Sequence, residues 1–251
     1  MAKSSGIGDR YFFHGTDISG DVSALGSIST QQGLLPATNL TSTTEERMRG
    51  LAMGQLGFTC YFNDALSQPI LDQLPTTDVC LLYARGTSIG SACFGLTAKQ
   101  VNFDPSRGQD GSLTFAVDGQ SNQDSGEWGV LLTAGQATVA SSAATAPTGV
   151  VAAASSAFGG VGFLQYQQRA SGTPTFLIED SADTTDGTDG TWGTLLTFAG
   201  TGGASAFGER KTVTGTIEKG VRAATPTGTY SNAVFVIGFR RGEENDRENL
   251  A

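Results

Sequence analysis

Charged residues are scarce in this chain of 251 residues. They make up 16% of it, and basic residues are the rarer kind, with 15 Lys and Arg against 24 Asp and Glu. The resulting net charge of −9 disfavours a nonspecific grip on nucleic-acid phosphates, which needs clustered cations. Seven basic and thirteen acidic residues precede Gly135, so most of the acidic excess lies in the first part of the chain.

Cysteine and histidine are scarcer still. The three cysteines, Cys60, Cys80 and Cys93, show no C-x-x-C spacing, so they predict small core residues and neither a disulfide framework nor a zinc site. His14 is the only histidine, and no nucleophile-elbow motif surrounds it. Carboxylates for a glycosidase are abundant, but abundance does not place two of them face to face. We therefore expect no enzyme and no cofactor.

Long apolar runs are absent as well. No segment reaches the roughly 18 apolar residues that a membrane span needs, and the first residues lack the apolar core of a signal peptide. The sequence thus predicts a protein that is made and folded in a cytoplasm and has no membrane partner.

Glycine is plentiful, with 35 residues, and Ser, Thr and Ala fill long stretches. Glycine supplies positive φ in turns and weakens helices, so this mixture favours an all-β fold of short strands. The length suits two domains. We place the first at residues 1–135, an Ala/Ser/Thr/Gly-rich linker at 136–157, a β-sandwich at 158–241 and a charged tail at 242–251.

The first domain shows strand patterns and one helix signal. Overlapping capping boxes, Ser42 with Glu45 and Thr43 with Glu46, predict a short helix over Thr43–Met53. A pair of strands, Cys93–Phe103 and Ser112–Gly119, is the strongest hairpin candidate. The remaining expectations are a strand, a turn and a strand or arm over Tyr11–Ser29, a strand over Leu56–Phe62, one or two helical turns within Ala65–Pro75, and a strand covered on both faces over Val79–Ala84.

The second domain shows short strands with turn residues between them, which is typical of a small β-sandwich. Six strands are predicted, at Val161–Gln167, Thr175–Glu179, Thr194–Phe198, Lys211–Glu218, Val221–Ala224 and Ala233–Phe239.

Two features of the second domain have a chemical as well as a structural interpretation. Asp180, Asp183, Asp186 and Asp189 crowd one glycine-containing loop, which suggests calcium ligands. The spacing departs from the EF-hand and lacks its closing Glu, so a solvated turn is the simpler interpretation. Trp192 can stack on a sugar or pack at a strand end, and packing is the commoner role.

Several motifs recur in a characteristic order over roughly the first 135 residues. The chain resembles the tail tube proteins of long-tailed bacteriophages, especially those of phages that infect actinobacteria. The motifs are Ile18-Ser19-Gly20-Asp21-Val22, Glu45-Glu46-Arg47-Met48-Arg49-Gly50-Leu51, Leu74-Pro75-Thr76-Thr77-Asp78 followed by Tyr83-Ala84-Arg85-Gly86-Thr87, Ala98-Lys99-Gln100-Val101-Asn102-Phe103-Asp104-Pro105, and Glu127-Trp128-Gly129.

This resemblance implies a β-sandwich or barrel-like domain with a flanking helix, closing into stacked six-fold rings around a lumen. DNA passes through that lumen without specific binding, and an acidic wall suits such passage. Inter-ring contacts fall to Ser29–Asn39 or to Ser106–Gly111, and the residues do not decide between them. The resemblance places five hairpin residues at the lumen or between subunits: Lys99, Asn102, Asp104, Thr114 and Asp118.

The implied partners are further copies of the chain, a tape measure protein, and tail terminator and distal tail proteins, within a virion. The second domain resembles the immunoglobulin-like or carbohydrate-binding sandwiches that decorate such tails, and Trp192 is its candidate glycan contact. Two alternatives stay open from the residues: a secreted carbohydrate-binding protein, and a capsid decoration or other virion protein.

Overall fold

The computed structural model describes residues 7–39, 41, 43–144, 147–168, 171–199 and 205–243. Within these ranges the elements are almost all strands, which confirms the all-β prediction. No helix of the described residues is long and apolar enough to cross a membrane. The elements are β1 (Arg10–Phe13), β2 (Thr16–Asp17), β3 (Val22–Pro36), β4 (Arg47–Tyr61), α1 (Gln68–Leu71), β5 (Val79–Ala84), β6 (Ala92–Gln100), β7 (Asp104–Arg107), β8 (Leu113–Ser121), β9 (Glu127–Leu131), β10 (Ala137–Val139), β11 (Val150–Val151), β12 (Gly160–Gln168), β13 (Ser171–Gly172), β14 (Leu177–Ser181), β15 (Gly193–Thr197), β16 (Phe207–Val213), β17 (Gly220–Ala223), β18 (Tyr230–Ser231) and β19 (Ala233–Arg241).

The chain forms two compact units, and neither is a continuous segment. Unit 1 combines residues 1–20, 79–95 and 128–251, and unit 2 combines 21–78 and 96–127. This division differs from the predicted domains at 1–135 and 158–241. The reason is long-range strand pairing, since β1 pairs with β5 and β9 pairs with β19. Pairing of this kind leaves no mark in local composition.

Unit 1 contains a large sheet and a smaller one packed against it. The large sheet runs in the order β16-β12-β19-β9-β6-β5-β1-β2, with β10 also beside β19. The smaller sheet runs β11-β17-β14-β15. Tyr166, Phe235 and Ile237 of the large sheet pack against Ile178 and Leu196 of the smaller one, so a β-sandwich is present.

A second core lies among strands of the large sheet. Phe163 of β12 and Val236 of β19 meet Phe12 of β1 and Leu82 of β5 there. Alternate residues of β12 and β19 therefore serve two cores, and both strands are buried along most of their length. β5 is fully buried, as its uninterrupted apolar sequence predicts.

Five of the six strands predicted for the second domain are present with ends shifted by one or two residues, whereas the strand predicted over Lys211–Glu218 lies at Phe207–Val213 and overlaps the prediction only at residues 211–213. The predicted linker at 136–157 is partly strand, because β10 pairs with β19 and β11 pairs with β17. Small residues are sufficient in β10 and β11, because the large apolar side chains of the core come from other strands. Of the predicted tail at 242–251, residues 244–251 lie outside the described ranges.

Unit 2 is built on the β3–β4 hairpin. β4 also pairs with β8, whose other side pairs with β7 and with the end of β6. Leu56 and Phe58 of β4 and Phe115 and Val117 of β8 are buried on one face, and Leu71 of the single described helix is buried as well. The predicted helical turn within 65–75 is thus confirmed.

The helix predicted over Thr43–Met53 is wrong. Residues 47–53 form the first half of β4, where Met48 pairs with Leu35 and Met53 with Gln31. Capping boxes are local signals, and here strand pairing with β3 prevails over them. Ser42, the proposed cap, lies outside the described residues.

The strand predicted over Cys93–Phe103 is interrupted. β6 ends at Gln100, and Asp104–Arg107 forms the separate strand β7, which makes the hairpin with β8. The Gln100 amide donates to the carbonyls of Leu71 and Asn102, which holds the chain in a bend at this point. Ser29–Asn39, predicted as a loop, is strand as far as Pro36.

The tight turn between β1 and β2 packs against another strand of unit 1. His14 and Gly15 both have positive φ, 45° and 91°, as a two-residue hairpin turn requires. A Cβ on Gly15 would lie 2.4 Å from the backbone nitrogen of Phe207 and from the carbonyl oxygen of Tyr166. The turn therefore tolerates only glycine, for backbone conformation and for space.

Gly15→Ala is expected to destabilise the fold by about 3 kcal/mol or more, because it adds a clash with backbone to the strain of a positive φ. Gly215→Ala is the control, since Gly215 has a φ of 95° and nothing within 4 Å of its Cβ position. It should cost only about 1 kcal/mol. Urea unfolding of both variants measures the difference, and equal losses would contradict the packing described.

Candidate assembly surface

The β3–β4 hairpin extends well beyond the core of unit 2. Each strand has 15 residues, so at about 3.3 Å per residue the ribbon is roughly 50 Å long. Burial is confined to the Gly54–Cys60 part of β4, while Arg47–Met53 and all of β3 are exposed or half-buried. Much of the ribbon therefore projects without a core beneath it.

The outer edge of β3 is open. Among the described strands β3 pairs only with β4, and the register is regular from Ile28 to Gln32, between two register shifts. β3 has no charged residue, and the charge-free run continues to Thr44. Natural proteins protect free strand edges with charge, proline or a covering element, because an unprotected edge pairs with another chain. Pro36 ends β3, and the register shifts on either side of Ile28–Gln32 are bulges that also protect an edge, so the unprotected stretch is Ile28–Gln32.

Large apolar side chains are exposed on both faces of the ribbon near its far end. Leu35 and Met48 are register partners, and Leu34 pairs with Arg49. Their exposed fractions run from 52% for Leu35 to 89% for Leu51, although apolar residues of this size are usually covered. We call the following set the hairpin patch: Leu34, Leu35, Met48, Leu51 and Met53.

The sheet of unit 2 has a polar face opposite its core. On β8 the buried Phe115 and Val117 alternate with Thr114 and Asp118, which are half-buried and point the other way. The Gln55 amide of β4 donates to Asp118 Oδ1 at 3.3 Å on that face. The resemblance-based lumen candidates Thr114 and Asp118 thus lie on the same side of one sheet.

Asn102 and Asp104 join them at the break between β6 and β7. Asn102 Oδ1 accepts a hydrogen bond from the Asp118 backbone N–H at 2.7 Å, and its amide donates to Asp104 Oδ2 at 2.7 Å. Asp104 is the register partner of Ala116, which lies between Thr114 and Asp118 on the polar face. The Asn102 side chain therefore bridges the interrupted ladder and links the Asp104 carboxylate to the Asp118 backbone.

Lys99, the fifth candidate, is neutralised by a partner in the same unit. Its Nζ lies 2.8 Å from Asp78 Oδ1 and donates to the carbonyl of Thr76. The Asn122 amide donates to both Asp78 oxygens, at 2.9 and 3.0 Å. Hydrogen bonds from Lys99 and then Asn122 lower the pKa of Asp78. With Lys99 paired and Asp104 and Asp118 held by amides, the polar face carries a net negative charge.

The acidic loop of unit 1 satisfies its carboxylates internally. Asp183 Oδ1 accepts from the Ser181 hydroxyl and the Thr191 N–H, both at 2.7 Å. Asp186 and Asp189 accept from the hydroxyls and backbone amides of their neighbours, and Asp180 accepts from the Glu218 N–H at 2.9 Å.

These hydrogen bonds lower the pKa values of Asp183, Asp186 and Asp189, most strongly that of Asp189 through Thr185 and Thr184. No cluster of three or more His, Cys, Asp or Glu side chains suited to a metal ion occurs in the described part of the chain. The geometry corresponds to a self-capped turn, and calcium binding by the four aspartates is a prediction that it does not support.

Trp192 closes this loop. Its Nε1–H donates to the Asp189 carbonyl at 3.0 Å, and the Arg222 guanidinium lies 4.1 Å from the ring centroid. Arg222 in turn pairs with Glu179 at 2.8 Å. One face of the indole is therefore covered by a cation, so a sugar would have to stack on the other face. Glycan binding by Trp192 stays a prediction.

The remaining chemically interesting residues are structural. Cys60, Cys80 and Cys93 are buried, as predicted, and burial raises the pKa values of Cys60 and Cys93 to about 12. Burial also lowers the pKa of His14, whose Nδ1 accepts from the Cys80 N–H at 3.4 Å. Thiols and an imidazole held in this way are poor nucleophiles and bases.

The chain was compared with family models, curated proteins and solved structures. No family model and no curated protein matches it. Its fold is similar to the Dit protein of phage SPP1, described as a hub of the adsorption apparatus in phages that infect Gram-positive bacteria, at 10% identity over 93% of this chain and 99% of the other, with a TM-score of 0.33. Two further similar chains come from the phage p2 baseplate in its activated conformation.

The p2 chain from the structure with Sr has 12% identity and a TM-score of 0.35, and the one with Ca has 13% and 0.32. Both matches cover 93% of this chain and 98% of theirs. TM-scores this low do not establish a shared overall arrangement, so no function follows from them.

Coupling between Lys99 and Asp78 is expected to be small, about 0.5 kcal/mol, because both side chains are about a third or more exposed and water screens them. A double-mutant cycle with Lys99→Met and Asp78→Asn at low salt measures it. Since folding lowers the pKa of Asp78, the coupling should be present above about pH 4 and vanish as the pH falls through the folded value. The more exposed Arg47–Glu45 pair is the control and should show none. Unchanged coupling at pH 2 would contradict the assignment.

Proposed function

We propose that this protein is a structural subunit of a bacteriophage tail, and that copies of it assemble into six-membered rings that stack into the tail tube. Its role is assembly and not catalysis. The observation that carries the proposal is the open, charge-free edge of β3 on a hairpin that projects from its core. The ordered motifs of residues 18–129, with their resemblance to tail tube proteins, supply the identity of the assembly.

Pairing between copies is the natural use of such an edge. A second strand laid along Ile28–Gln32 would satisfy the outward backbone groups and cover apolar side chains in one step. A ring closes this pattern and leaves no free edge, whereas an open pattern grows into filaments. Both products are larger than a monomer, so assembly state is the decisive observable.

The polar face of unit 2 suits the wall of a DNA conduit. It has the neutralised Lys99 and the carboxylates Asp104 and Asp118, so it offers phosphates no free cation from this set. DNA adheres to proteins mainly through such cations. We assign this face to the lumen, and the tape measure, terminator and distal tail proteins to the tube's interior and ends, as the family resemblance implies. The mature location is then the virion.

Thr30→Lys combined with Gln31→Lys should abolish or strongly weaken assembly. Both residues are exposed on β3, one on each face, so the monomer should fold normally while facing copies repel each other. We expect the concentration at which rings or tubes form to rise at least tenfold, equivalent to about 1.4 kcal/mol per contact. Analytical ultracentrifugation and negative-stain microscopy measure the change.

The matched control is Ala153→Lys combined with Ser155→Lys, which adds the same charge at exposed positions away from β3. It should assemble like the unmodified protein. Equal effects of the two pairs would attribute the loss to net charge and not to the β3 edge. A native protein that stays monomeric at millimolar concentration would contradict the proposed function itself.

A further inference from the structure

The negative charge of the chain is concentrated in unit 2. Its eleven acidic and four basic residues give a net charge of −7, whereas thirteen acidic and eleven basic residues give unit 1 a net charge of −2. Unit 2 has only 90 of the 251 residues. The smaller unit, which contains the open edge of β3, therefore holds most of the excess.

The charges at the projecting end of the β3–β4 hairpin cancel. Glu45 and Glu46 stand beside Arg47 and Arg49 in the sequence, and Arg47 Nη2 lies 2.8 Å from Glu45 Oε2. β3 contributes no charge of either sign. The hairpin patch therefore lies in a neutral part of unit 2, and the excess charge lies elsewhere in the unit.

Seven carboxylates of unit 2 have no basic residue to balance them. Lys99 neutralises Asp78, and Arg107 offsets Asp110 across the β7–β8 turn. We call the remaining set the unit 2 carboxylates: Asp21, Asp64, Asp72, Asp104, Asp118, Asp124 and Glu127.

Neutral amides hold four of these carboxylates in place. They are the side-chain amides of Asn63 at Asp21, Gln68 at Asp72, Asn102 at Asp104 and Gln55 at Asp118. A neutral donor stabilises a carboxylate by hydrogen bonding but leaves its negative charge uncompensated. The amides therefore fix the position of the charge in unit 2 without removing it.

Like charge in unit 2 opposes contact between copies along β3. Such a contact brings two units of net charge −7 side by side, and β3 has no cation to pair with the incoming copy. On the polar face that we assign to the lumen, Asp104 and Asp118 of successive copies would also face each other. The Debye length is about 30 Å at 0.01 M salt and about 8 Å at 0.15 M, so salt screens most of this repulsion.

We infer that the unit 2 carboxylates regulate self-assembly, so that copies stay apart at low ionic strength and join when salt screens the carboxylates. This rests on the self-assembly proposed above and adds its regulation. A net charge far from zero keeps proteins monomeric through mutual repulsion. Here that charge lies in the unit whose open strand edge joins the copies, while the edge itself is uncharged, so ionic strength alone changes the balance.

Sedimentation of the full chain at a series of NaCl concentrations tests the inference. Between about 0.01 M and about 0.15 M NaCl, the protein concentration at which rings or tubes form should fall roughly tenfold or more, because the screening length shortens several-fold. An assembly concentration that stays constant, or that rises with salt as ion pairs between copies would make it do, would overturn the inference and leave the proposed function standing. Absence of assembly at every salt concentration would overturn both.

Removing carboxylates from unit 2 should weaken the dependence on salt. Asp64→Asn combined with Asp104→Asn takes two negative charges from exposed positions of unit 2. Asparagine keeps a side-chain oxygen, so the hydrogen bond from Asn102 to residue 104 can persist. At low salt this variant should assemble at a several-fold lower concentration than the unmodified protein, and the two should converge as the salt concentration rises.

The matched control is Asp183→Asn combined with Asp186→Asn, which takes the same two charges from exposed positions of unit 1. Asparagine can also accept the hydrogen bonds from Ser181 and Thr188 at these positions, and thermal melts check that both variants fold. The control should keep nearly the full dependence on salt. Equal effects of the two pairs would show that the net charge of the whole chain sets the repulsion and would overturn its assignment to unit 2.

Discussion

Backbone hydrogen bonding at the edge of β3 is the constraint on which the proposed assembly depends. A strand buried in a sheet satisfies its N–H and C=O groups on both sides, whereas β3 satisfies them on one side only. In a monomer, water can hydrogen-bond the open N–H and C=O groups. A strand without any charged residue, however, has no charge repulsion to prevent pairing with another strand. The long hairpin is therefore suited to form one side of the proposed interface between copies.

The two units differ in how much of their apolar surface is buried. Unit 1 has two cores and buries β5, β12 and β19 almost completely, so it is a self-supporting sandwich. Unit 2 has one modest core and a ribbon that exceeds it, which leaves apolar side chains at both ends of the hairpin and a polar sheet face between them. Burial is therefore concentrated in the first arrangement, and the second has the exposed surface that the proposed assembly would use.

Local patterns predicted the buried strands and failed where partners were remote. β5 and most of the strands from β12 to β19 were predictable because residues buried in a sheet are mostly apolar, and their spacing is visible in the sequence. The helix over Thr43–Met53 was wrong because two capping boxes are weaker than pairing with β3, which lies across a turn. The exposure of Leu51 was not predictable, since it looks like a core residue until the length of the hairpin beyond its core is known.

Amide hydrogen exchange along β3 tests the central claim most directly. At a concentration where sedimentation shows monomers, the amides of Ile28–Gln32 that point away from β4 should exchange within seconds, because only water bonds them. In the assembled state the same amides should be protected by a neighbouring strand, while amides of β12 and β19 stay protected in both states. Full protection of β3 in the monomer, or none in the assembly, would contradict the account.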